Sequence, residues 1–121
     1  MKVVTGVSGT TQTTPAVNVP EGGWLVYGVA TRHTPAGIGL STWSSSTAGE
    51  TKLAELATNS GAADITMAVF DSGGPMPATT GATRTLTSSI SEGTAVVFAV
   101  ALRPSASAAG AGELVLGLPL F

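Results

Sequence analysis

The chain has 121 residues, 10% of them charged, no cysteine and a formal net charge of −2. That composition excludes disulfides and thiolate metal sites, and it offers no basic patch to neutralise nucleic-acid phosphates. A mean hydropathy of +0.38 also excludes the charged, β-branched-poor make-up of a disordered chain.

One domain is expected, long enough to bury roughly two-thirds of its unfolded surface. Its surface is either rich in Thr and Ser or largely buried against partners. Met1 to Gly6 carries one charge and no long apolar core, so it does not read as a secretory signal. The expectation is a chain made and used in the cytoplasm, or one that leaves the cell by lysis or within an assembly.

Residues 1–7 are expected to form a short first strand, and Ser8 to Thr14 a polar loop or extended edge. Pro15 to Pro20 alternates at period two between prolines, which suits an edge strand. After the Glu21-Gly22-Gly23 turn, Trp24 to Thr31 reads as a strong strand. Trp24 and Tyr27 fall on its opposite faces, so one of them belongs at a rim or an interface. Arg32 to Gly39 reads as a loop. Ile38 to Trp43 reads as a strand with Ile38 and Leu40 on one face and Trp43 on the other.

Ser44 to Gly49 is a low-complexity loop. Glu50 to Thr58 fits two periods: Leu53, Leu56 and Ala57 at helical spacing, or Thr51, Leu53 and Glu55 at strand spacing. The all-β surroundings favour the strand. After Asn59-Ser60-Gly61, residues Ala63 to Phe70 form a strand with Ile65, Met67 and Val69 expected to face the core. Asp71 to Pro77 is the tightest turn cluster. Thr80 to Ser89 alternates Ala82, Arg84 and Leu86 against Thr83, Thr85 and Thr87, and reads as a surface strand.

The strongest signal is Thr94 to Leu102, an unbroken apolar run opened by the Glu92-Gly93 turn signal and closed by Arg103-Pro104. Nine residues cannot span a bilayer as a helix, which needs about 20, and the composition argues strand. An unbroken run implies that both faces are covered. Val96, Phe98, Val100 and Leu102 are expected to meet an opposing sheet. Ala95, Val97, Ala99 and Ala101 would form a shallower face. Pro104 to Gly112 is a small-residue linker, and Glu113 to Phe121 is apolar to its last residue. The fold expected is an all-β single sandwich, jelly-roll-like, over residues 1–104. Residues 105–121 add the linker and an apolar strand or arm.

Candidate chemistry is sparse. Asp71-Ser72-Gly73-Gly74-Pro75 spells the nucleophile segment of chymotrypsin-like proteases, with His33 and Asp64 upstream in the right order. That mechanism needs two barrels and a buried orienting acid, and a Gly-Gly-Pro hairpin accounts for the residues without it. A single histidine among scattered carboxylates has no metal-ligand spacing, and no phosphate-binding loop occurs. No catalytic residue, cofactor or metal is expected, and no enzyme activity. Trp24, Tyr27 and Trp43 offer either a sugar-stacking platform or sandwich anchors, and anchors are the commoner role. An apolar terminus bearing Leu114, Leu116, Leu118, Leu120 and Phe121 requires a cover, from its own sheet or from a neighbour.

The succession Gly9 to Val26 (GTTQTTPAVNVPEGGWLV), then Thr42-Trp43-Ser44, then Asp71-Ser72-Gly73-Gly74-Pro75-Met76-Pro77-Ala78, then Val96 to Pro104 carries a resemblance. It is similar to small β-sandwich virion proteins of tailed phages infecting actinobacteria, of the capsid-decoration and minor-tail type. The match covers about residues 5–104, and each motif is short. In such proteins the domain often sits within a longer chain, whereas here it stands almost alone, which favours a small accessory subunit.

The resemblance implies a structural, non-enzymatic role on the virion, most of all as a capsid decoration or cementing subunit. The alternative is a minor tail or host-surface carbohydrate-binding module. The partners it implies are the major capsid protein or another virion protein and further copies of the chain, a homotrimer among the arrangements. Neither nucleic acid nor membrane is implied.

Overall fold

A computed structural model of the chain describes residues 1–33, 41–59 and 64–105. At residues 5–8, 33, 59 and 91–93 it describes the backbone alone. Among the described residues eight strands follow in order: β1 (Lys2–Thr13), β2 (Val17–Val19), β3 (Trp24–His33), β4 (Trp43–Ser45), β5 (Thr51–Asn59), β6 (Asp64–Asp71), β7 (Thr79–Ala82) and β8 (Thr85–Leu102). There is no helix among the described residues. The expectations for Ile38, Leu40, Leu114, Leu116, Leu118, Leu120 and Phe121 lie outside them.

The main sheet runs β1-β8-β3-β6-β5, all antiparallel, and β4 attaches to β8. β8 serves two layers. Its second half pairs with β3, from Arg32 opposite Thr94 to Trp24 opposite Leu102. Its first half pairs with β4, where Trp43 lies opposite Ser88. β1 follows β8 through both halves, with three register shifts between Thr5 and Thr11, and Gly9 takes φ 101° there. Bulges of this kind bend a strand pair and raise its twist.

The Glu92-Gly93 signal therefore marks a bend and not a chain reversal: β8 continues through it, with Glu92 opposite Gly9. The polar tract Ser8 to Thr13 is likewise strand rather than loop, because β8 supplies its ladder.

The bent-over layer covers one face of the main sheet. Leu25, Tyr27, Val29, Ala68, Phe70, Ala95, Val97 and Ala99 point to that side. They form one buried cluster with Trp43, Leu86, Val17, Val19 and Ala82. β2 and β7 supply the last three of these as a separate two-stranded ladder. Thr80 to Ser89 is accordingly not one surface strand. It divides into β7 and the start of β8, and both Ala82 and Leu86 are buried. Polar groups tie the layers together. Glu55 Oε2 accepts the Trp43 backbone N–H at 2.7 Å. The Thr66 hydroxyl bonds those of Ser41 at 2.5 Å and Thr31 at 2.6 Å. The result is the expected all-β sandwich, and residues 51–59 are strand.

Two expectations of facing are reversed. On β8, Ala95, Val97 and Ala99 are buried, whereas Val96 and Leu102 are exposed. On β6, Asp64, Thr66, Ala68 and Phe70 are buried, whereas Ile65 and Met67 are exposed. Size explains the reversal. The rings of Tyr27, Phe70 and Trp43 fill the inner space, so their neighbours on the sheet must be small. Close packing then places alanines inside and leaves the larger aliphatic side chains on the other side.

Candidate interaction surface

The outer face of the main sheet is built from cross-strand rungs. Leu56, Met67, Ala30 and Val96 form one continuous row across β5, β6, β3 and β8. Ala54, Val69, Gly28, Phe98 and Val3 form the next. Val26 and Val100 extend the face one rung further, and Trp24 with Leu102 closes that end. Many of these side chains are open to solvent: Leu56 at 68%, Leu102 at 48%, Met67 at 43% and Trp24 at 36%. Five strands spaced about 4.8 Å apart and rungs running from residue 24 to 32 give a footprint of roughly 500 Å². Apolar patches of this extent on a single protein are often functional.

Gly28 lies at the centre of the face. A Cβ at this position would sit 2.7 Å from the Phe98 ring and would collide with the Ala68 carbonyl oxygen. The ring of Phe98 therefore lies over the glycine and is only half-buried. Among the described side chains of the face, charge occurs at its two ends alone. Arg32 sits at the Thr94 and Ile65 end, and Asp71 at the Val26 end.

The other expected site residues do not converge. Tyr27 and Trp43 are core residues, stacked or packed inside, which leaves Trp24 as the exposed member of the three. Asp64 and Ser72 lie at opposite ends of β6, eight residues or about 27 Å apart along an extended strand. The backbone of His33 pairs with Asp64 at the far end. The order His33, Asp64, Ser72 thus builds no triad. Ser72 shapes a turn instead: its hydroxyl donates to the Gly74 carbonyl at 2.7 Å and accepts the Leu25 N–H at 3.3 Å. Gly73 donates to Asp71 Oδ1 at 2.8 Å. Its φ of 70° and the nearby Gly49 carbonyl leave no room for a side chain.

One buried polar cluster braces the layers. Arg84 Nε donates to Glu50 Oε1 at 2.7 Å, with the two side chains 13% and 4% exposed. The Tyr27 hydroxyl lies 2.8 Å from Ser45 Oγ and 3.2 Å from Glu50 Oε2 and shares its single proton between these two acceptors. Burial, reinforced by the Glu50 charge, pushes the Tyr27 phenol up to about 12. Neighbouring hydrogen bonds fully engage the cluster, which gives it a bracing role.

A cleft of about 580 Å³ lies between the β2–β7 ladder and the ends of β1 and β8, flanked by Lys2 and Arg103. Among the described residues no three His, Cys, Asp or Glu side chains are grouped to hold a metal ion. Comparison with protein-family models, curated proteins and solved structures gave no match.

Sequence reasoning missed the open face because it set the larger apolar residues of β6 and β8 inward. The signal was present in the unbroken run of residues 94–102, which demands a cover on both sides.

Proposed function

We propose that the chain is a structural subunit of a phage virion, a capsid decoration or cementing protein that works with its outer sheet face at a subunit seam. The observation that carries this reading is the continuous apolar face across β1, β8, β3, β6 and β5. Burying roughly 500 Å² of it at 25 cal/mol per Å² is worth about 12 kcal/mol. Association costs on the order of 4–15 kcal/mol offset much of that. A stable seam therefore requires the whole face, which suits a fixed lattice contact better than a passing encounter. The partners are the major capsid protein or another virion protein, together with further copies of the chain, on the virion surface.

The carbohydrate-binding alternative is weaker, since Tyr27 and Trp43 are buried and Trp24 alone cannot make a two-ring platform. Quantitative mass spectrometry of purified virions from the source tests the proposal. Copy numbers comparable to the major capsid protein are expected. A handful of copies per particle moves the chain to the tail, and its absence from virions overturns the reading.

A further inference from the structure

We infer that the outer face is the seam of a twofold dimer, in which two copies of this chain pack main sheet to main sheet. This rests on the reading of the chain as an assembly subunit and names the occupant of its seam. A sheet face is covered best by another sheet, about 10 Å away with strands near-aligned. The chain's own second layer already occupies the opposite side. Two faces of roughly 500 Å² bury about 1,000 Å² in all, the lower bound for a specific interface. The apolar character of the face is that of homodimer seams.

Charge selects the arrangement. Arg32 and Asp71 stand at opposite ends of the face. A twofold axis lying between the sheets and crossing the strands brings Arg32 over Asp71 of the partner subunit, twice. An axis running along the strands would set Arg32 over Arg32 of the partner subunit. Self-complementarity therefore favours the crossing axis.

Sedimentation of the purified full chain between about 1 and 100 µM tests this, a range that covers the micromolar affinities of small seams. A dimer is expected. Met67→Glu should give a monomer with an unchanged circular dichroism spectrum, because Met67 lies outside the core. Arg32→Glu should weaken dimerisation at least about tenfold by meeting Asp71 of the partner subunit, and adding Asp71→Lys should restore it to within about threefold. Because Asp71 also holds the 71–74 turn, Asp71→Asn, which keeps an acceptor there, serves as the control for folding.

A chain that is monomeric throughout, or a dimer indifferent to Met67→Glu, overturns the inference. A dimer broken by Met67→Glu but blind to the charge reversal overturns the crossing axis. A monomer present in virions at capsid-like copy number overturns the dimer alone. A dimer found in no virion overturns the assembly reading alone.

Discussion

Gly28 shows how one missing side chain shapes a surface. Replacing a glycine in a strand with alanine ordinarily helps slightly by restricting the unfolded chain. Here the new Cβ meets the Ala68 carbonyl and the Phe98 ring, so Gly28→Ala should cost about 2–3 kcal/mol. A calorimetric melt reads this as a lower Tm. Tyr27 offers a pH test. Its phenol titrates near 12 in the fold against an ordinary 10.0. The stability it contributes is intact below pH 10 and is lost as pH rises through 12, by roughly 2–3 kcal/mol at 1.36 kcal/mol per unit. Denaturant unfolding of Tyr27→Phe should lack that alkaline decline. Arg84→Met strands the Glu50 carboxylate in the interior and should cost about 3–5 kcal/mol, measured as a shift in urea midpoint.

At the scale of the element, β8 carries the lesson about what was readable. Its existence was plain from Val96-Val97-Phe98, and β3 and β6 were equally plain. β5 was correctly favoured as strand because its neighbours left a helix nowhere to pack. Facing was not legible. Along 94–102 both parities are apolar, and hydrophobicity alone ranks Phe98 and Leu102 above Ala95 and Ala99. The three rings of Tyr27, Phe70 and Trp43 decide the matter by volume, and all three come from other strands. Glu92-Gly93 misled, and Ser8 to Thr14 stayed open between loop and extended edge, for a related reason: local polarity and turn propensity yield to a ladder supplied from the far end of the chain. A pair of substitutions tests the facing. Val97→Asp, buried, should cost at least about 3 kcal/mol, whereas Val96→Asp should change stability by under about 1 kcal/mol. Chemical denaturation at low protein concentration separates the two.

For the whole molecule, the candidate surface was only half visible beforehand. One of Trp24 and Tyr27 was expected at a rim or an interface without a choice between them; Trp24 is the exposed one, while Tyr27 and Trp43 proved to be anchors. The apolar sequence 113–121 requires a cover from its own sheet or from a neighbour and lies outside the described residues. Deleting 106–121 is expected to lower occupancy on the particle, read by densitometry of purified virions, and unchanged occupancy would count against that segment as a lattice contact.

The pairing of β1 with β8 has a consequence for how the protein is made. Among the described residues, β1 takes its ladder from β8 alone, more than 70 positions downstream. Closing so long a loop is slow. While the ribosome is still adding residues 85–102, Lys2 to Thr13 has no native partner, and one edge of β3 stands bare. The nascent chain thus spends most of its synthesis with unpaired strand edges. Under the proposed role as a high-copy assembly subunit, nascent chains would meet others of their kind in that state, and yield should depend on holdase chaperones during translation.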